Sequence, residues 1–173
     1  MGAAGYLARA RIALLGAWSG ALLAFGGLFV PAAFAHLPTP LAATILGDGF
    51  GALDRIGVLL GATCAALGFA AGPSGLRARA RAALPLAGVL AHLLSELVVN
   101  PKLHALRIAA GGAIGQLPPD GPDLAAFAQL HAASRALFGL AAASALVACL
   151  WDVLSLREGR VPGASPDGES GVF

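Results

Sequence analysis

The sequence predicts an all-α integral membrane protein, a four-helix bundle with both termini cytoplasmic. Three observations lead there. Of 173 residues, 58% are hydrophobic and only 12% are charged, against about 25% in an ordinary soluble domain. Long apolar stretches alternate with clusters of charge, and each stretch approaches the roughly 20 residues that cross a bilayer core of about 30 Å. The arginines then concentrate in alternate connections, as positive charge does on the cytoplasmic side.

Taken in order, Ile12 to Gly47 holds no Asp, Glu, Lys or Arg, and Pro38 and Pro40 interrupt it. The first span is therefore placed at about 12–35. Its start also has signal-peptide features, with Arg9, Arg11 and a small-residue Ala33-Phe34-Ala35 site, but the run is longer than an ordinary signal core. Ile56 to Leu76 is the next charge-free stretch, giving a second span at about 55–72 ended by Gly72-Pro73. The third, about 82–100, is interrupted only by Glu96 and closes at Asn100-Pro101. The fourth, about 130–151, lies between Arg135 and Asp152 with an apolar lead-in from Leu124. Lys102, His104 and Arg107 make the segment at about 102–115 read as an outer interfacial helix rather than a fifth span. Residues 1–157 then form one transmembrane domain, and the Gly-, Ser- and Pro-containing stretch 158–173 reads as a disordered cytoplasmic tail.

Orientation follows from Arg9 and Arg11 before span one, Arg77, Arg79 and Arg81 between spans two and three, and Arg157 and Arg160 after span four. Ten arginines to one lysine, amid abundant Ala and Gly, suit a GC-rich genome and hence a bacterial inner membrane. Within lipid, close helix contact comes from small residues. Gly57, Gly61, Ala65, Gly68 and Gly72 line one face of span two, and Gly16, Gly20, Ala24 and Gly27 one face of span one. Ala132, Ala136, Gly139 and Ala143 do the same on span four. Packing within the bundle is the expected use of these faces; a homo-oligomer interface is the alternative.

The chemistry-bearing feature is a repeated polar pattern. Span three carries His92, Ser95, Glu96 and Asn100; span four carries His131, Ser134 and Arg135. Spacings of three and four put each set on one helical face. At about 1.5 Å per residue, Glu96 and Arg135 reach similar depths on antiparallel neighbours, about 22 and 25 Å from the inner side. They are expected to pair, because an unpaired charge in hydrocarbon costs about 2.5–3.5 kcal/mol. Intramembrane ionisable residues are functional-site candidates by default, so these seven residues form the candidate polar site; a structural clasp between spans three and four is the alternative.

Several classes are excluded or disfavoured. A net charge of +2 is too thin for a nucleic-acid surface. Two cysteines without C-x-x-C give neither a disulfide framework nor a zinc site, and Cys64 and Cys149 are expected to pack. There is no phosphate loop, G-x-S-x-G or H-E-x-x-H, so no enzyme is expected. His92 and His131 are predicted at unequal depths, against a two-histidine haem, and His104, His131 and Glu96 are an unspecific metal set; no cofactor is expected.

Three motifs resemble the transmembrane protein 205-like domain family across roughly residues 12–150. They are Trp18-x-Gly20 with Phe25, Phe29, Pro31, Phe34 and Leu37-Pro38; Asn100-Pro101-x-x-His104-x-x-Arg107; and Phe127-x-x-Leu130-His131-x-x-Ser134. The resemblance implies a four-helix membrane domain with Pro101, His104, Arg107, Phe127, His131 and Ser134 at signature positions. It implies no activity. A more distant similarity to CopD-type copper-resistance membrane proteins keeps a metal ion among the solutes. Two functional readings stay open: a small-solute or metal-ion transport or resistance factor, using an outward-facing polar site between spans three and four, and a non-catalytic membrane scaffold acting through the Gly/Ala faces.

Overall fold

The computed structural model describes residues 3–71, 75–111, 114, 117, 118 and 120–157. The predicted tail at 158–173 lies outside them. The elements are α1 (Ala3–Ala24), a π-helical turn (Phe25–Phe29), α2 (Val30–His36), α3 (Thr39–Ala70), α4 (Leu76–Leu94), a second π-helical turn (Ser95–Val99), α5 (Asn100–Ala109) and α6 (Pro122–Arg157). The π turns join their neighbours into continuous rods. Among the described residues four helices are long and apolar enough to cross a membrane: Ala3–His36, Thr39–Ala70, Arg79–Ala109 and Pro122–Leu156. That suits a multi-pass membrane protein in contact with a lipid bilayer.

Each π turn ends two residues before a proline, Pro31 in the first rod and Pro101 in the third. A proline ring collides with the carbonyl four residues earlier. The wider turn relieves this by moving the bonding register to five residues, with Val30 N–H donating to Phe25 O and Asn100 N–H to Ser95 O. The third helix therefore does not stop at Asn100-Pro101. It runs on through Lys102, His104 and Arg107 and ends where Gly111, at φ +61°, turns the chain. Gly75, at φ +90°, likewise precedes α4.

The rods close a ring: α3 packs on α4, α4 on α6, α6 on α1, and α1 on α3. At its centre lie Leu15, Trp18, Leu22, Cys64, Ala91, Ala141, Ala145 and Ala148, all buried. The expected packing of Cys64 is thus observed, while Cys149 is half-buried against this core. A smaller cluster of Ala33, Ala42 and Leu46 lies between α2 and α3, beside Phe25 and Phe50. The outer faces carry Leu28, Leu59, Leu90, Leu97, Leu140 and Leu150, all exposed. Arg11, Asp54, His92 and Asp152 are buried. Apolar outside with charge inside inverts the soluble pattern and is what a lipid solvent selects.

The small residues of α3 work inside the ring. A β-carbon on Gly57 would fall on the His92 ring; on Gly61 it would meet Val89 and Trp18; on Gly68 it would meet Ala82 and Arg11. These three glycines let α1 and α4 approach α3 closely. Gly20, Gly27 and Gly139, by contrast, have nothing within 4 Å of that position.

Candidate functional site

Two polar clusters lie in the ring, one near each end of the shared apolar core. The first joins the start of α1 to the last turns of α6. Arg11 Nη1 donates to both carboxylate oxygens of Asp152, at 2.9 and 2.7 Å, and Arg81 Nε lies 3.3 Å from Asp152 Oδ1. Arg11 Nε donates to Cys64 O at 2.9 Å, and its Nη2 to Arg81 O at 2.8 Å. The last bond has a covalent cause. Pro85, four residues on in α4, has no N–H to give the Arg81 carbonyl, so a guanidinium from another helix supplies the donor. The cluster is closed, and every Arg11 nitrogen has a partner.

The second cluster lies between α3 and the third rod. Ten residues along α3, or about 15 Å, separate Asp54 from Cys64, so this centre stands about half a bilayer core from the first. His92 Nδ1 lies 2.7 Å from Asp54 Oδ1, with side-chain exposures of 1% and 5%. Asn100 Nδ2 donates to Asp54 Oδ2 at 3.0 Å and reaches Glu96 Oε2 at 3.4 Å. Arg55 Nη1 donates to Glu96 Oε1 at 3.1 Å, where the side chains are 66% and 27% exposed. A continuous polar chain thus runs from the exposed Arg55 to the buried His92. Trp18 lies beside His92 with ring centroids 5.8 Å apart. Both Trp18 Nε1 and His92 Nε2 are buried without a hydrogen-bond partner among the described residues.

The structure therefore brings His92, Glu96 and Asn100 together, with Ser95 buried on the intervening π turn. The expected Glu96–Arg135 pair does not form: Glu96 pairs with Arg55 of α3, and Arg135 is exposed on α6. The polar face of the third rod turns toward α3, where Gly57 leaves room for the imidazole and Asp54 offers it a carboxylate. The centre consequently lies between spans two and three, not three and four. His131 joins a different group. Arg107 Cζ sits 5.9 Å from the centroid of the Phe127 ring, and Phe127 stacks on His131 at 5.9 Å and 5°. Ser134 is half-buried one turn beyond, while His104 and Pro101 are exposed on α5.

Asp54 and Arg55 escape a reading that ends spans at charged residues. Each looks like the edge of a loop before Ile56, although the helix begins 15 residues earlier at Thr39. The available signal was His92, a deep polar residue on span three for which span four offers no partner of matching depth.

A family model described as a domain of unknown function (DUF4149) matches residues 13–111, more than half of the chain. The chain belongs to the DUF4149 family. The match takes in α3, α4, α5 and both π turns, and so Asp54, His92, Glu96 and Asn100; it ends before α6 and leaves Arg11, His131 and Asp152 outside. It carries no support for the narrower likeness to the transmembrane protein 205-like family or to CopD-type proteins. No curated protein and no solved structure matches.

Proposed function

We propose that this DUF4149 member is a non-enzymatic multi-pass protein of a bacterial inner membrane, and that it passes a small solute through the polar centre between α3 and the third rod. One observation carries the reading: the Asp54–His92 pair is buried halfway along helices long enough to cross a membrane and is linked through Asn100 to the half-exposed Glu96. Ionisable groups are rarely kept at such a position without a use, given what they cost to insert. Among the described residues no three His, Cys, Asp or Glu side chains gather as metal ligands do, which favours a solute other than a metal ion. The scaffold reading loses its surface on α3, since Gly57, Gly61 and Gly68 are already filled by the chain's own helices.

The test is flux in reconstituted vesicles, reading proton and monovalent-ion gradients with entrapped dyes. Wild-type vesicles should dissipate an imposed gradient faster than empty ones, and Asp54→Asn should abolish the difference. Vesicles of the wild type that match empty vesicles for every ion tried would overturn the reading. Both chain ends are assigned to the cytoplasm, so a reporter joined at Gly75 should be cytoplasmic and one at Gly121 external.

A further inference from the structure

We infer that Nε2 of His92 is a reversible proton-binding site at the heart of this centre, with the indole of Trp18 as its neighbour. The inference rests on reading the Asp54–His92 pair as the transport centre and goes further by naming the atom and the ligand. An ionised carboxylate only accepts hydrogen bonds, so at 2.7 Å from Asp54 Oδ1 the Nδ1 atom carries the ring proton. Nε2 is then left with its lone pair. It is buried on a ring that is 1% exposed, and no described group donates to it. The large majority of buried side-chain nitrogens are hydrogen-bonded, so an open Nε2 calls for an explanation.

The charges around the ring point the same way. From α3 come Asp54 and Arg55, and from the third rod Glu96 and Asn100. From α1 comes Trp18, with neither charge nor partner on its indole nitrogen. On α6 the polar group of this layer is Ser144, which reaches the space over Gly88 beside the Trp18 ring and donates to Ala141 O. Two carboxylates against one guanidinium leave one net negative charge with a neutral imidazole. Adding one proton neutralises it. The step is simple in atoms: hydronium gives its proton to the Nε2 lone pair, an N–H bond forms and water is released, Nδ1–H keeps donating to Asp54 Oδ1, and reversal returns the proton. A monovalent cation would neutralise the same charge without touching Nε2, so the test separates the two.

The chain has two tryptophans, Trp18 and Trp151, so Trp151→Phe leaves Trp18 as the sole indole reporter. A protonated imidazole quenches an adjacent indole. In lipid nanodiscs the Trp18 emission should fall in one step as pH is lowered. His92→Gln should remove the step. Asp54→Asn, which removes the carboxylate facing Nδ1, should change the position of the step. Isotope-edited NMR of histidine-labelled wild type should show one ring pass from the Nδ1–H tautomer to the doubly protonated form across the same range, and this needs no variant to fold. A step that survives His92→Gln, a step driven by Na+ or K+ at constant pH, or a ring that stays neutral throughout would each overturn the inference. Lost flux with the step intact would defeat the transport reading alone. Flux with no step would defeat the proton site alone.

Discussion

The two polar clusters use the same side-chain chemistry to opposite ends. At the Arg11 cluster the guanidinium spends every nitrogen on a carboxylate or a backbone carbonyl, and Asp152 receives a second arginine. At the Asp54 cluster the carboxylate is satisfied, but Nε2 of the imidazole and Nε1 of the nearby indole have no partner among the described residues. Satisfied buried networks rigidify, whereas an unsatisfied member marks either a cost or a use. The difference is one between a clasp that ties α1, α3, α4 and α6 together and a centre left with capacity to bind.

The largest effect should come from breaking the clasp. Arg11→Gln or Asp152→Asn strands a buried partner, and each should destabilise by about 3–5 kcal/mol. The double variant should recover part of that loss in thermal unfolding in detergent; strictly additive losses would show that the pair is not coupled. Next comes Gly57→Ala, because its β-carbon would fall on the His92 ring. It should cost about 1–3 kcal/mol through overpacking and abolish the Trp18 fluorescence step, while Gly139→Ala, with open space around it, should do neither. Equal behaviour of the two glycine variants would remove the close seat of His92 on α3.

A smaller effect is expected at the open end of the second cluster. Polar contacts between membrane helices average about 0.6 kcal/mol and Arg55 is 66% exposed, so a double-mutant cycle of Arg55→Gln with Glu96→Gln should give a coupling below about 1 kcal/mol. Smallest of all is the cycle of Glu96→Gln with Arg135→Gln, whose effects on unfolding should simply add. A clear coupling there would restore the pair between spans three and four and displace Arg55 as the partner of Glu96.

The contrast also bears on which residues betray themselves in a sequence. His92, Glu96 and Asn100 are legible because helical periodicity puts them on one face of an apolar stretch. Asp54 and Arg11 are not, since a charge at the edge of an apolar run reads as a boundary whether it lies in a headgroup layer or inside a bundle. Pro85 is silent for a related reason. A proline in an apolar helix frees one carbonyl, but nothing local says that an arginine 74 positions earlier will satisfy it. Pro101 looks like a helix end, yet a wider turn carries the third rod past it.

The sequence by itself determined that four apolar helices form and which small and polar residues share a face. Those are properties of a 3.6-residue repeat and of hydrocarbon as a solvent, and both act on each segment separately. Only the tertiary structure decided that Glu96 meets Arg55 rather than Arg135, that Asp54 holds His92, and that Arg11 completes the turn broken by Pro85. A helical face specifies what it presents but not what it meets. The partner depends on how each rod is rotated and how high it stands against its neighbours, and contacts between residues far apart in the chain set both.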